Sequence, residues 1–277
     1  MSAKIKFIAK KIMSTILPVK YYGAIRRQYH KFCYQRLYKQ WKKHYRYFFI
    51  IADPAAIPHE ALAPSFFSQR GQDWFLATYC FPGQHEGFFL DIGANHPQHN
   101  NNTLYFENIG WHGLAFEPQV NLQRLWADQR ITPCIPCALG DCETTITFNR
   151  VISNQWEHAL SFVDGTTDYI SSNLNIEKIS VPQRALSNIL CEKNINNIDF
   201  ISIDVEGYEL NVLNGIDFST TYIKYFIIEN DQNIKGNDDI RYFMQQHGYI
   251  YIANLCGDDV FCHKNNISNY ESNLNKF

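Results

Sequence analysis

The first 46 residues of this chain contain no aspartate or glutamate, although they hold 13 of its 25 lysines and arginines. The rest of the chain therefore carries 12 basic and all 27 acidic residues, a charge of −15 that the overall value of −2 conceals. A body this acidic lacks the basic surface that a phosphate backbone needs, which argues against nucleic acid as its partner. The sequence divides into a basic segment and an acidic body.

Long apolar runs are also absent, since no stretch approaches the roughly 18 residues of a membrane-spanning helix. The longest early apolar stretch, around Ile12 to Leu17, is too short and too polar for a secretory signal. The eight cysteines do not have the spacing of a small disulfide scaffold, and Cys134-x-x-Cys137 has no second Cys/His pair at zinc-finger spacing. We expect buried thiols in a reducing, cytoplasmic protein.

The chain is predicted to have three parts. Residues 1–51 are a basic helical extension, because isoleucines recur there at helical spacing with lysines between them. Residues 52–64 contain three prolines and form a linker, and residues 65–277 form the main domain. The extension suits packing on the body or on a protein partner, peripheral contact with an anionic membrane, or nucleic acid, although no base-reading motif is present. A cleaved organellar presequence is a further alternative.

Apolar runs alternate with helical patterns along the main domain, which is typical of an α/β protein with a mostly parallel sheet. The turn Gly257-Asp258 predicts a final hairpin, and we expect it to form an antiparallel edge. Residues 140–186 exceed what a simple crossover needs, and such insertions commonly serve a functional site. The predicted strands are 87–92, 112–117, 134–139, 199–205, 222–229, 249–255 and 259–263. Helices are predicted over 65–79, from 103, after 118, over 209–215 and over 238–247.

Two of the predicted strands, within residues 88–95 and 199–209, end in acidic residues and glycine. Open α/β sheets bind ligands just beyond the carboxyl ends of their strands. These two strand ends predict one crevice that is lined with hydrogen-bond acceptors. Such a crevice suits an enzyme that holds a polar, nucleoside-like cofactor.

The first of these strand ends carries Asp91, Gly93, Ala94 and Asn95. Gly93 and Ala94 allow a tight turn and the close approach of a ligand to the backbone. Asp91 is placed to orient that loop or to accept a hydrogen bond from a ligand ammonium group. The later glycines of the dinucleotide-binding fingerprint are missing, so an ordinary strand-to-helix turn is the alternative.

Glu117 ends the next strand, 24 residues after Gly93. An acid at about this distance commonly binds ribose hydroxyls in nucleoside-binding α/β folds. The alternative is a carboxylate that stabilises the amino end of the following helix.

Asp204, Glu206 and Glu229 follow two further strands, and we expect their carboxylates to lie close together. Close carboxylates raise one another's pKa, which suits a general base, or they share a divalent cation. We predict no metal, although a bridging cation stays open, and N-cap or loop acids are the alternative. The loop residue His158 is a second candidate base.

Several segments taken together resemble the FkbM family of S-adenosylmethionine-dependent methyltransferases. Their order is specific, and they cover about residues 65–264. The loop His96-Pro97-Gln98-His99 departs from the family, and residues 140–186 match nothing clearly. The matching segments are SQRGQDWFLATYCF (68–81), GFFLDIGANHPQHNNNTLYFENIGWHGLAFEPQ (87–119), CALGD (137–141), SVPQRALSNIL (180–190), IDFISIDVEGYELNVLNGIDF (198–218) and YFIIEN (225–230).

The resemblance implies a class I methyltransferase fold, with a mostly parallel seven-stranded sheet, an antiparallel edge hairpin and the basic helical extension. It implies S-adenosyl-L-methionine as the cofactor, with its methionine part at the Asp91 loop, its ribose at Glu117 and its adenine near Asp141. The implied cofactor-binding residues are Gln69, Asp73, Asp91, Gly93, Ala94, Asn95, Glu117, Ala138, Leu139 and Asp141.

The function expected from this resemblance is an O-methyltransferase acting on a hydroxyl of a saccharide, glycan or glycolipid-type acceptor. Asp204, Glu206 and Glu229 are the expected catalytic residues, with Asp204 as base or as the residue that orients it. The alternative is a non-catalytic cofactor-binding or scaffold module of a membrane-associated biosynthetic complex. A nucleic-acid methyltransferase is disfavoured by the acidic body.

Overall fold

A computed structural model describes residues 49–51, 54–152, 160–166, 175–230 and 238–276. The strands are β1 Phe49–Ile51, β2 Phe88–Ile92, β3 His112–Phe116, β4 Cys134–Ile135, β5 Ala138–Gly140, β6 Thr144–Val151, β7 Phe162–Val163, β8 Ile176–Ala185, β9 Asn197–Ile203, β10 Tyr222–Glu229, β11 Tyr249–Leu255 and β12 Asp258–His263. The α-helices are α1 Gln72–Phe75, α2 Leu104–Asn108, α3 Val120–Gln129, α4 Leu186–Glu192, α5 Glu209–Asn214, α6 Asp238–Gln246 and α7 Ile267–Leu274. Short 3-10 helices cover Pro54–Ala56, His59–Leu62 and Lys264–Asn266, and a π-turn covers Leu76–Cys80.

The main sheet has eight strands in the order β1-β11-β12-β10-β9-β2-β3-β4. All neighbouring pairs are parallel except those of β12, which is antiparallel to both β10 and β11. The mixed α/β class is confirmed, but the count of seven strands is one too low. Phe49–Ile51, which the sequence placed in the extension, pairs with Ala253–Leu255 and adds the eighth strand.

The predicted hairpin of β11 and β12 forms, but β12 does not lie at the edge of the sheet. Its central residues Val260, Phe261 and Cys262 are almost completely buried. An edge strand has a partner on one side only, whereas these residues are enclosed between β10 and β11. The expectation of an antiparallel edge hairpin is therefore wrong in its position.

A second, four-stranded sheet in the order β5-β8-β6-β7 accounts for the insertion between β5 and β9. Its longest pairing joins Thr144–Val151 to 176–183 in antiparallel register. The single strand predicted over 134–139 is wrong, because Pro136 separates β4 in the main sheet from β5 in the small one. Proline lacks the N–H that a continuous ladder requires.

The helix predicted over 65–79 is much shorter than expected, since the α-helix covers only Gln72–Phe75. The Asp73 carboxylate accepts hydrogen bonds from the backbone N–H groups of Phe67 and Ser68, at 2.6 and 3.2 Å. These bonds hold the preceding segment in a folded loop rather than a helix. Gly71, with φ of 82°, marks the change from loop to helix.

The main sheet is covered on both faces, as a largely parallel sheet must be. Leu186, Val212 and Met244 bring α4, α5 and α6 against one face. The other face carries an aromatic core that includes Phe106 of α2 and Tyr270 of α7. This double cover leaves the strand ends as the accessible part of the sheet.

The described part of the chain contains no helix with the length and apolar character needed to cross a bilayer. The seven cysteines in this part are all free thiols, and burial raises the pKa of Cys134 to about 12 and that of Cys137 to about 11. Residues 1–48, and with them nearly all of the predicted basic extension, lie outside the described residues.

A buried ionic network joins the β11–β12 hairpin to α6 and to the end of β10. Asp259 is fully buried and accepts hydrogen bonds from Arg241 Nε (2.6 Å) and Nη2 (2.9 Å). Asn254 and Asn230 donate to the same carboxylate at 2.8 and 2.7 Å. The buried carboxylate of Asp259 is paired with the guanidinium of Arg241 and is fully hydrogen-bonded. The network therefore holds the hairpin in place at the strand end beside Glu229.

We predict that Arg241→Gln lowers the free energy of unfolding by about 3–5 kcal/mol, because it leaves Asp259 buried without its counter-charge. Urea unfolding followed by circular dichroism measures the change. The matched control is Lys178→Gln, which removes the exposed Lys178–Asp164 ion pair and is expected to cost less than about 1 kcal/mol. Equal losses in the two variants would contradict the assignment of Arg241 as a structural counter-ion.

Candidate functional site

A cleft opens at the carboxyl ends of β2, β3 and β9, and the small sheet forms one of its walls. The sequence placed the ligand site at this edge of the main sheet. The cleft is lined by Ile92, Gly93, Asn95, Phe116, Glu117, Pro118, Gln119, Cys137, Ala138, Leu139, Phe148, Ser161, Val163, Asp204, Val205, Glu206 and Tyr208.

The loop after β2 lies directly against the end of β9. Gly93 N and Ala94 N both donate to Phe116 O, at 3.0 and 3.1 Å. Gly93 has φ of 76°, and a Cβ at this position would lie 1.8 Å from the backbone oxygen of Asp204. Glycine is therefore required here by the chain's own backbone, whereas the sequence suggested the approach of a ligand. Ala94 is buried and packs toward Trp126 of α3 instead of lining the cleft.

Asp91 lies beneath this loop and is almost completely buried. Its carboxylate accepts from Thr103 Oγ1 at 2.7 Å and from Asn101 Nδ2 at 3.1 Å. Burial raises the pKa of Asp91 to about 6, although these hydrogen bonds and the nearby Arg130 lower it in part. Arg130 forms an ion pair with Glu107 and also donates from Nη1 to Pro97 O at 2.8 Å, so it holds the loop over the strand end. Asp91 contacts the loop and does not line the cleft.

Glu117 lines the cleft with a buried carboxylate. Its Oε2 accepts from Asn95 N at 3.0 Å and its Oε1 accepts from Gln119 N at 2.9 Å. A carboxylate can accept about four hydrogen bonds, so Glu117 keeps acceptor capacity for a ligand hydroxyl. Burial raises the pKa of Glu117 to about 7, and the amide hydrogen bonds oppose that rise.

Asn95 provides a further polar group beside Glu117. Its backbone oxygen accepts from Trp126 Nε1 at 2.7 Å, which fixes the residue in position. Among the described residues, its buried Oδ1 has no hydrogen-bond partner. A ligand donor in the cleft would satisfy this oxygen, so the polar wall fits a nucleoside-containing cofactor.

The opposite wall of the cleft is apolar. Ala138 and Leu139 of β5 are buried there, together with Phe148 of β6 and Val163 of β7. Asp141, expected near the adenine, is exposed and lies outside the lining of the cleft. The alternating pattern of Thr144–Val151 is the sequence signal that could have predicted this wall.

The segment before β2 contributes no residue to the lining of the cleft. Gln69 is exposed, and Asp73 is fully buried among the backbone amides of its own loop. Gln72, which the sequence did not single out, is buried and donates to Asp258 Oδ2 at 2.5 Å. The segment thus packs against the start of β12, the neighbour of Glu229.

The acid cluster comprises Asp204, Glu206 and Glu229, which each offer a carboxylate oxygen within 4.8 Å of the others. Asp204 N donates to Ile92 O at 3.0 Å, and this bond ties the start of the cluster to the end of β2. Glu206 adopts a left-handed conformation with φ of 53°. This grouping matches the prediction from sequence, and three such oxygens could hold a divalent cation.

Burial and the surrounding negative charges of Asp204, Glu206, Glu209 and Asp258 raise the pKa of Glu229 well above its ordinary value. The pKa of Asp204 is also raised, because protein atoms crowd its carboxylate although solvent reaches it. The carboxylates of Asp204 and Glu229 lie close together, and the negative charge of Asp204 favours the protonated form of Glu229. The pair therefore binds a proton more readily than two isolated carboxylates would.

Glu209 supports the acid cluster from below and was not singled out from the sequence. It is buried at the start of α5, and its Oε1 accepts from Gly207 N at 3.0 Å and Val205 N at 3.3 Å. Burial raises its pKa to about 7. Its position three residues after Glu206, at a helix start, was the signal that could have identified it.

The candidate histidines add little to the site. His158 lies outside the described residues. His96 Nδ1 accepts from Gln98 N and His99 N, both at 3.1 Å, and so stabilises its own loop.

The fold is of the mixed α/β class, and its cleft at the strand ends is lined by Glu117, Asp204 and Glu206. The Methyltransferase FkbM domain family matches residues 91–251, more than half of the chain, and the protein belongs to this family. The family resemblance seen in the sequence is confirmed. Families of this kind use an S-adenosylmethionine-type cofactor in general.

Among solved structures, the chain is similar to the methyltransferase FkbM of Methylobacillus flagellatus KT, with 13% sequence identity and a TM-score of 0.40. The similarity covers 76% of this chain and 50% of that protein, so the present chain spans about half of its length. No curated protein matches the sequence significantly.

We predict that Gly93→Ala costs more than about 4 kcal/mol of stability, because the new Cβ collides with a backbone oxygen that has no space to move. Thermal unfolding of the purified protein measures the loss. Gly83→Ala is the matched control, since Gly83 also has a positive φ but has nothing within 4 Å of a Cβ. Only the conformational cost of about 1–2 kcal/mol is expected there. A Gly93→Ala protein as stable as Gly83→Ala would rule out the tight contact between the two strand ends.

Proposed function

We propose that the protein is an S-adenosyl-L-methionine-dependent O-methyltransferase that acts on a hydroxyl of a saccharide, glycan or glycolipid-type acceptor. The observation that carries this proposal is the cluster of the Asp204, Glu206 and Glu229 carboxylates, since Asp204 and Glu206 line the same cleft as Glu117. Family membership supports methyl transfer, and the acid cluster supports a hydroxyl as the group that receives the methyl.

The chain would hold the cofactor between its polar and apolar walls. Glu117 has free lone pairs for the two ribose hydroxyls, and Asn95 Oδ1 offers a further acceptor. Leu139 and Phe148 would pack against the adenine. When bound, the cofactor supplies an activated methyl group on a sulfonium.

Asp204 and Glu229 are the proposed base. One carboxylate oxygen of the pair accepts the proton of the acceptor hydroxyl, and the partner carboxylate stabilises that proton by hydrogen bonding. Glu206 accepts a second hydrogen bond from the acceptor and so orients it. Glu209 keeps the Val205–Gly207 turn in place by binding its amides. Alignment of the reacting groups contributes on the order of 7–11 kcal/mol in favourable cases.

A saccharide is the acceptor class that suits this rim. Carboxylates accept hydrogen bonds from neighbouring hydroxyls, and a sugar offers several hydroxyls at fixed spacing. Polyanionic acceptors are disfavoured, because they would be repelled by Asp204, Glu206 and Glu229. The alternative, a non-catalytic cofactor-binding scaffold, has the same cleft but does not need a base.

We predict that the protein binds S-adenosylhomocysteine and that Glu117→Gln weakens binding at least about ten-fold, since it removes charge-assisted hydrogen bonds to the ribose. Calorimetric titration measures both affinities. Glu86→Gln, an exposed substitution ahead of β2, serves as the control and is expected to leave the affinity unchanged. Failure of the unaltered protein to bind would refute the cofactor assignment.

We predict that Asp204→Asn lowers kcat for methyl transfer by about 10²–10⁴-fold while S-adenosylhomocysteine still binds. The reason is that an amide cannot accept the hydroxyl proton. The rate of the unaltered enzyme should rise with pH through the raised pKa of the acid pair and then level off, because the base must first lose its proton. Initial rates of radiolabelled methyl transfer to a saccharide panel measure this, and a full rate in Asp204→Asn would exclude the proposed base.

The rate of methyl transfer in the presence of a chelator shows whether the acid cluster binds a proton or a metal ion. If Asp204, Glu206 and Glu229 share only a proton, the rate is unchanged by a chelator. If they hold a divalent cation, the chelator abolishes transfer and added Mg²⁺ or Mn²⁺ restores it.

A further inference from the structure

A second depression lies at the end of the main sheet opposite to the cleft. Asn197, Tyr222 and Tyr249 are the first residues of β9, β10 and β11, whereas the acid cluster follows the last residues of β9 and β10. His263 ends the antiparallel β12 and therefore lies at the same end. We call this depression the distal groove; the lining residues that carry the argument are Asn197, Phe218, Tyr222, His247, Tyr249 and His263.

The two histidines of the distal groove have opposite hydrogen-bonding roles. His247 Nδ1 is 2.8 Å from the backbone oxygen of Phe243, and since that oxygen only accepts, Nδ1 carries the proton. His263 Nδ1 accepts from Asn265 N at 3.2 Å, so its proton is on Nε2. His247 Nε2 is thus an acceptor and His263 Nε2 a donor. Burial and the nearby charge of Lys264 lower the pKa of His263, which keeps it neutral.

Amide and hydroxyl groups complete the polar part of the groove. Asn197 Nδ2 donates to Asn196 Oδ1 at 2.8 Å, which leaves Asn197 Oδ1 as an acceptor. Ser219, Thr220 and Thr221 add hydroxyl groups along one side. Among the described residues that line the groove, none is Asp, Glu, Lys or Arg. A ligand with a formal charge would find no counter-charge among these lining residues.

Aromatic rings form the floor of the groove. The ring of His263 lies 4.9 Å from that of Tyr222 and 5.1 Å from that of Tyr249, each edge to face. Phe218 and His247 have ring centroids 4.4 Å apart. Tyr222 and Phe218 are half-buried, and the hydroxyl of Tyr249 is fixed by Ile223 O at 3.0 Å. The floor is therefore a rigid, partly exposed apolar surface between fixed polar groups.

We propose that the distal groove binds a neutral saccharide. A sugar hydroxyl both donates and accepts, so one ring can satisfy the acceptor on His247 and the donor on His263 together. The C–H face of a pyranose is apolar and fits an aromatic floor. The groove lacks the cationic side chains that a phosphate or carboxylate ligand would need.

The binding itself does not depend on methyl transfer. If the proposed function also holds, the distal groove would retain a long acceptor while the cleft modifies it. The two proposals can be refuted independently. The groove is tested by measuring saccharide binding, whereas the cleft is tested by measuring methyl transfer.

The test is calorimetric titration of the full chain with maltohexaose, cellohexaose, xylohexaose and chitohexaose at millimolar concentration. At least one of these is expected to bind, and Asn197→Ala/His247→Ala should weaken it about ten-fold through the loss of two hydrogen bonds. Both residues are exposed, so the fold should tolerate their truncation. Gln246→Ala, an exposed neighbour at the end of α6, is the matched control and should bind like the unaltered protein.

Asp204→Asn separates the groove from the cleft, because it alters the cleft alone and should leave this affinity unchanged. The proposal is overturned if none of the saccharides binds, or if Asn197→Ala/His247→Ala binds as tightly as the unaltered chain. It is equally overturned if Asp204→Asn abolishes the binding, since the sugar then occupies the cleft. Competition by inorganic phosphate would identify an anion site instead and would also refute it.

Discussion

The site depends on the close approach of β2 and β9 where these two central strands end. The Asp204 N–H donates to Ile92 O, and the Asp204 carbonyl fills the space in which a side chain of residue 93 would lie. This contact is made by backbone alone, so it sets the separation of the two strand ends without regard to their side chains. As a result, the loop that would hold a cofactor and the acids that would accept a proton form one continuous surface.

The buried acids have three kinds of surroundings. These surroundings distinguish an acid with a structural role from acids that can exchange protons. Asp259 is neutralised by Arg241, which suits a fixed structural role. Glu117 and Glu209 are held by backbone amides, and burial raises the pKa of each to about 7. Glu229 is surrounded by other acids, and its pKa is raised further. The groups that can exchange protons near neutral pH are therefore gathered at one edge of the sheet.

The sequence predicted the central strands well, because a buried parallel strand is a continuous apolar run whatever surrounds it. It failed where a single distant or unusual residue decides the outcome. Asp73 accepts hydrogen bonds from the amides of Phe67 and Ser68, and so holds in a loop the first residues of a helix that the apolar pattern favours. Pro136 divides one apolar run between two sheets. The strand Ile176–Ala185 contains charges and a proline. Because many of its residues are exposed, it has no continuous apolar run from which a strand could be predicted.

Within the site, the positions of residues could be predicted from the sequence more accurately than their roles. Gly93 was expected because of the conformational freedom of glycine. The structure shows that glycine is required there because the Asp204 carbonyl, more than a hundred residues away, leaves no space for a Cβ. Asp91 was expected either to orient its loop or to contact the ligand, and its hydrogen bonds to Thr103 and Asn101 place it beneath the loop. Such choices depend on partners that are distant in sequence, and no local spacing reveals them.

The two walls of the cleft arise from separate parts of the chain, and this has a consequence for specificity. The acid cluster and Glu117 sit on strand ends whose positions the main sheet fixes through contacts such as that of Gly93 with Asp204. Phe148 and Val163 belong to the small sheet, which is built from an insertion and is joined to the cleft by side chains. Substitutions in the small sheet can therefore reshape the apolar wall without moving the acids. The arrangement of the acids and the shape of the apolar wall are thus controlled by different elements of the same fold.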